Sequence, residues 1–240
     1  MVPRSSIPKN KRPVKTRFVF KIKQNSDGSI SKLKSRLIAQ GFLLRFGVDY
    51  YDTYSSVVGF AAVRMLMAIA AHTDEKFTSA DIGNAYIESK PDEDTPIFVE
   101  QPRETPELIE KNPEHYVYNL KRCLYGMPFA GRSFQRMIDE IMIESGFNRM
   151  KSERCVWIKY RHEESPDRII VTTYVDDLII LTKHEDMRQD FINVLKKKFA
   201  KVTIEDNLNW ILNIKMTRGE SEGKEYIQLS QELAIDRVIE

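Results

Sequence analysis

Cysteine is scarce in this 240-residue chain, with only Cys123 and Cys155. Two thiols cannot build a disulfide framework, and a reducing compartment is the simplest expectation. Histidine is nearly as rare. His72, His115, His162 and His184 show no zinc-site spacing, so these residues and the two cysteines are expected to be structural. Ten glycines and ten prolines exclude collagen-like and proline-rich chains. No uncharged apolar run reaches the roughly 18 residues of a membrane-spanning helix, so no membrane-spanning segment is expected. The opening stretch MVPRSSIPKNKRPVKTRF has no apolar core and does not read as a secretory signal. What is present is a 42% hydrophobic and 30% charged composition. That is too apolar for a disordered tail and suits one large domain or two small ones.

Net charge is only +2, but it is unevenly spread. Residues 1–45 hold 12 Lys and Arg against one acid, Asp27, a charge of +11. The remainder holds 25 basic and 34 acidic residues, or −9. Such asymmetry points to an anionic partner, nucleic acid or a membrane surface, with a solvated basic arm as the plain alternative.

Residues 1–13 read as a basic linker. From Arg17 the pattern has period two, with Phe18, Phe20 and Ile22 alternating with Val19, Lys21 and Lys23. Asn25-Ser26-Asp27-Gly28 predicts a hairpin turn, and the return strand runs to about Ala39 with Lys32, Lys34 and Arg36 on its exposed face. Residues 60–72 predict a helix with Phe60, Val63, Met67 and Ala70 on one face. A short strand ends at Asp81, and a short helical piece follows. Residues 91–115, acidic and with five prolines, predict loops around a strand at Ile97–Val99. A helix is predicted from Arg132 to Ser145. Residues 168–182, RIIVTTYVDDLIILT, predict a hairpin whose tight turn carries Asp176 and Asp177. Thr182 to Glu185 fits a capping box for the next helix. A last hairpin spans about 209–229, and 230–240 predict the start of a helix. Trp157 and Trp210 are expected in the core. Hairpins mixed with helices exclude a regular βαβ repeat. They predict an α+β fold, an antiparallel sheet with helices on one face.

Two carboxylates at a hairpin turn between buried strands repel each other, and burial adds to the cost. A bound cation removes both costs, and Mg²⁺ takes one or two carboxylates with substrate phosphates in its other positions. Asp81 is the natural third acid, and three carboxylates around two cations suit phosphoryl transfer. A solvated turn is the open alternative.

Tyr174-Val175-Asp176-Asp177 resembles the catalytic box of reverse transcriptases. The likeness extends through Lys32-Leu-Lys34-Ser-Arg36-Leu-Ile-Ala-Gln-Gly41-Phe, Gly47-Val-Asp49-Tyr and Tyr54-Ser-Ser-Val-Val58. It continues in Ala80-Asp81-Ile-Gly-Asn-Ala85-Tyr86, Leu124-Tyr125-Gly126 with Ala130-Gly131-Arg132-Ser-Phe134, Gly146-Phe147, Cys155 and Gln228-Leu-Ser-Gln231. Together these motifs, covering about residues 14–235 in family order, resemble the copia-type retrotransposon reverse transcriptase domain. Departures are Ser56 for the family's proline, Pro128-Phe129 for Lys-Gln, and Asn213 for the glycine of Leu-Gly-Ile.

The resemblance implies right-hand polymerase fingers and palm, with the thumb missing or truncated. Fingers would fall mainly at 14–76 and 90–130, palm mainly at 77–89 and 131–229. It implies RNA-directed DNA polymerase activity by a two-metal mechanism. Asp81 and Asp176 would bind two Mg²⁺ ions, with Mn²⁺ as a substitute, and Asp177 would assist. Lys23, Lys34, Arg36, Tyr86 and Gly126 would face the nucleotide. Tyr86 would fill the space of a ribose 2′-hydroxyl, with a plain core residue as the alternative. Gly126 would admit nucleic acid close to the backbone, with an ordinary turn glycine as the alternative. Lys32, Arg132 and Tyr174 would contact nucleic acid. Implied partners are a primed RNA or DNA template, deoxynucleoside triphosphates, and the RNase H and integrase of a Pol polyprotein. The implied location is the cytoplasm, in virus-like particles, or else the nucleus. The rival expectation is a decayed or adopted copy that only binds nucleic acid.

Overall fold

The computed structural model describes residues 1–24, 29–92, 94–103, 105–212, 214–232 and 235. The elements begin with β1 (Val2–Pro3), β2 (Thr16–Gln24), β3 (Ile30–Ala39), α1 (Phe60–Thr73), β4 (Lys76–Ile82), α2 (Ala85–Glu88), β5 (Phe98–Val99) and β6 (Tyr116–Asn119). Then come α3 (Ala130–Glu144), β7 (Asn148–Arg149), β8 (Val156–Tyr160), β9 (Arg168–Tyr174) and β10 (Asp177–Thr182). The remaining elements are α4 (Glu185–Lys198), β11 (Val202–Asp206), β12 (Trp210–Ile211), β13 (Ile214–Ser221) and β14 (Lys224–Ser230). The expected turn at 25–28, Asn213, and most of the expected closing helix lie outside the described residues.

Two compact units emerge, residues 1–55 with 85–138 and residues 56–84 with 139–240. In the first, β2 and β3 pair as an antiparallel hairpin, and β1, β6 and β5 form a three-stranded sheet. Its core gathers Val14, Ala39, Ile97, Val99, Cys123 and Phe129. Residues 1–13, expected as a linker, belong to this unit instead. Val2 pairs with Val117, the Arg4 N–H donates to the His115 carbonyl at 2.8 Å, and the Arg4 guanidinium pairs with Glu100. Composition alone could not show these partners, which lie about a hundred residues downstream.

The second unit is built on a six-stranded antiparallel sheet in the order β11-β4-β10-β9-β8-β7. Uninterrupted apolar runs, rather than alternation, mark strands covered on both faces. Leu178 and Ile180 point to one face of β10 and Ile179 and Leu181 to the other, and all four are 5% exposed or less. Val63, Leu66, Met67 and Ala70 of α1 cluster with Phe77, Ile170 and Ile179. α4 buries a separate set, Met187, Phe191, Ile192 and Leu195, and packs on β9 and β10. The expectation of helices on one face is therefore corrected, because both faces are covered. α1, expected with the basic hairpin, falls in this unit because its apolar stripe is buried here.

Three local expectations also change. Phe60 stands at the first position of α1 and is 53% exposed, with Leu66 taking its place among the buried residues. Trp157 is buried as expected, but Trp210, on a two-residue strand at a sheet edge, is 40% exposed. The capping box does not form. His184 precedes α4 without a side-chain cap, and Thr182 Oγ1 instead accepts from the His184 N–H and donates to the Arg168 carbonyl.

Candidate active site

β-branched and large aliphatic residues hold β9 and β10 in the sheet, and only Val175 and Asp176 remain to join them. Tyr174 and Asp177 face each other across the hairpin. The turn thus carries one carboxylate and not the expected two, since Asp177 already belongs to β10. Val175 has φ 54°, a conformation that costs a β-branched residue about 1–3 kcal/mol. The turn is tied to β4 through the Ile82 N–H, which donates to the Asp176 carbonyl at 3.0 Å.

On the other side of β10, Asp177 lies directly opposite Asp81 of β4, and Asp81 lies opposite Thr203 of β11. Thr203, Asp81, Asp177 and Tyr174 therefore form one row on one sheet face. Directly opposed residues bring their Cβ atoms to about 4.5–5.5 Å. Asp81 is exposed, while Asp176 and Asp177 are half-buried. No described side chain forms an ion pair with any of the three acids.

Burial, then the charges of Asp176 and Asp81, push the Asp177 carboxyl up to about 6. Its ordinary value is about 4, so the folded chain holds this proton more readily than the unfolded chain. Stability from this group is full below about pH 4 and is lost as pH rises to about 6. In chelator, Asp177→Asn should therefore exceed the parent in stability at pH 7 and match it near pH 4. The gap at pH 7, discounted for partial exposure, is about 1–2 kcal/mol. Denaturant melts of both proteins at the two pH values measure it, and an equal gap at both would exclude the titration of Asp177 as the cause.

The set is chemically suited to a hard divalent cation, being all carboxylate oxygen with no ion-paired protein cation among the described residues. No group of three His, Cys, Asp or Glu side chains among the described residues is arranged to hold a metal unaided. Mg²⁺ characteristically takes one or two carboxylates and completes its shell with water and substrate phosphates, so a fully formed cage is not required.

The remaining expected residues lie in the first unit, apart from Tyr174. In the basic hairpin Lys23 stands opposite Lys32, Lys21 opposite Lys34, and Val19 opposite Arg36. Like charges placed directly opposite each other are unfavourable without an anion, so this face is suited to phosphates. Lys21 belongs to that face as much as the expected residues do, and strict alternation from Lys23 would have shown it. Arg36 stacks on Tyr125, its guanidinium carbon 5.0 Å from the ring centre. The Tyr125 ring in turn lies 5.1 Å from that of Tyr86. The Leu124-Tyr125-Gly126 motif by itself gives Tyr125 no separate role, although it adjoins Gly126. Gly126 has φ 88°, and a Cβ there would come within 2.2 Å of the Ala39 carbonyl oxygen. Arg132 Nε is paired with Asp52 at 2.7 Å. Phe129 is buried in the unit's core beside Tyr50. That gives Phe129, the second residue of this departure from Lys-Gln, a packing role.

The family model described as reverse transcriptase (RNA-dependent DNA polymerase) matches residues 4–240. The retrovirus-related Pol polyprotein from transposon TNT 1-94 of Nicotiana tabacum is 32% identical over 234 residues, 98% of this chain and 17% of that protein. The retrovirus-related Pol polyprotein from transposon RE1 of Arabidopsis thaliana is 27% identical over 202 residues, 84% of this chain and 13% of that protein. The truncated transposon Ty1-A Gag-Pol polyprotein of Saccharomyces cerevisiae is 25% identical over 197 residues, 79% of this chain and 14% of that protein. The chain thus spans no more than 17% of the length of these relatives.

Proposed function

Because this chain belongs to the reverse transcriptase (RNA-dependent DNA polymerase) family, and is by family a nucleotidyltransferase, we propose that Asp81, Asp176 and Asp177 carry template-directed addition of deoxynucleotides. The supporting observation is the register that sets Asp177 against Asp81 beside the turn holding Asp176. Asp81 and Asp176 would hold divalent cations, and Asp177 would add negative charge beside them. The cations would supply charge neutralisation for the attacking 3′ oxygen and the triphosphate. Lys23, Lys34 and Arg36 would hold the triphosphate as point charges and a planar fork. Tyr86 would close the space of a 2′-hydroxyl. Template, primer, and the RNase H and integrase of a Pol polyprotein are the partners of this reading, and cytoplasmic particles its location.

Primer extension tests it. The purified chain is assayed alone and with its native downstream sequence, and the longer protein should extend a primed RNA or DNA template with deoxynucleoside triphosphates and Mg²⁺. Nucleic-acid binding without extension in both proteins would overturn the reading in favour of a non-catalytic, adopted copy. Backbone charge should dominate template binding. Affinity for a single-stranded oligonucleotide is expected to fall tenfold or more, as an order of magnitude, between about 50 and 200 mM salt. Fluorescence anisotropy reads this directly, and a flat salt dependence would remove the basic hairpin from the binding surface.

A further inference from the structure

We infer that Tyr125 is a positioning residue for nucleotide selection, holding Tyr86 and Arg36 in place through their contacts with one ring. The inference rests on the roles proposed above for those two residues. Its basis is the way the backbone fixes the ring. The Ala39 N–H donates to the Tyr125 carbonyl at 2.9 Å, and Ile38 and Tyr125 form a parallel bridge. Tyr125 is thereby attached to the end of the strand that carries Arg36. Gly126 allows this junction, since any side chain there would meet the Ala39 carbonyl.

The ring then contacts two groups of different chemistry. Tyr86 packs on it at a tilted 56°, with ring centres 5.1 Å apart, a favourable aromatic geometry. Arg36 lies over it at 5.0 Å, within the range of a cation–π contact. The Arg36 Nε is buried, and among the described residues no group accepts a hydrogen bond from it and no carboxylate pairs with the guanidinium. An aromatic face can orient this guanidinium without neutralising it, leaving its charge for a phosphate. Tyr86 sits on α2, a single four-residue turn, which by itself constrains a side chain weakly. One ring would therefore couple the group expected to sense the sugar to the group expected to hold the phosphates.

The test compares Tyr125→Leu and Tyr125→Phe with the parent in single-nucleotide primer extension, using matched deoxy- and ribonucleoside triphosphates. Tyr125→Leu should lower deoxy-over-ribo selectivity by about three- to tenfold and raise KM for the deoxynucleotide by a similar factor. Its kcat should stay within about twofold, a split that general loss of structure would not produce. Tyr125→Phe keeps the ring and should behave as the parent. In a Tyr86→Ala background, Tyr125→Leu should no longer change sugar selectivity, since contacting residues are non-additive. Unchanged selectivity and KM in Tyr125→Leu, with an active parent and a responsive Tyr86→Ala, would overturn this inference alone. A parent inactive both alone and with its native downstream sequence would instead sink the proposed function, and a Tyr86→Ala protein with unchanged sugar choice would sink the role proposed for Tyr86. Crystal structures of parent and Tyr125→Leu decide the positioning claim in that event. Displacement of the Tyr86 ring and Arg36 guanidinium would support it, and retention of both would overturn it.

Discussion

Replacing Asp81 by asparagine should abolish primer extension, by roughly a thousandfold or more, and leave the chain folded. The substitution keeps the size of the side chain and removes one of three negative charges. On the proposed reading it removes a direct cation-holding group, which bears several kcal/mol of transition-state stabilisation. Stability should move the other way. Asp81 is one of the two charges that, with burial, raise the Asp177 carboxyl to about 6. Its neutralisation relieves a repulsion, so in chelator at pH 7 the melting temperature should hold or rise by about 1–3 °C. Loss of activity with gain or retention of stability is the signature of a functional acid. Loss of both together would make Asp81 a structural residue, and full activity would exclude the carboxylate mechanism.

Gly126→Ala should be among the most damaging single methyl groups in the first unit, lowering stability by about 2–4 kcal/mol. Two costs combine. The residue holds φ 88°, where a Cβ is strained, and that Cβ would lie 2.2 Å from the Ala39 carbonyl oxygen. The obstacle is backbone, so no rotamer change can relieve it. The same carbonyl region closes the junction between β3 and the loop carrying Tyr125, and Gly41 packs there even more closely against the Gly126 carbonyl. Gly47→Ala is the control, because Gly47 also has positive φ but no atom within 4 Å of its missing Cβ. It should cost only about 1 kcal/mol. Chemical denaturation of both variants measures the difference, and equal losses would show that the close approach at Gly126 does not matter.

Local pattern determined much of this protein by itself. Alternation over residues 17–23 and 30–39 specified a basic hairpin, and two β-branched runs around Asp176 and Asp177 specified another. The combination of motifs, rather than any one of them, marked the family, because each motif alone is compatible with an ordinary turn or core. The tertiary structure decided whatever depends on register and on distant partners. Asp81 and Asp177 are far apart in sequence, and only strand pairing makes them neighbours on one sheet face. Burial and that pairing set Asp177 apart, although the dipeptide looks symmetrical as text. Covalent order could not reveal that both faces of the sheet are covered, that the first residues are bound into a unit, or that Arg132 is paired with Asp52. Nor could it bring the Tyr125 ring into contact with both Arg36 and Tyr86. The physical reason is one of range: periodicity and turn chemistry act over a few residues, whereas register, burial and charge coupling are properties of surfaces brought together by the fold.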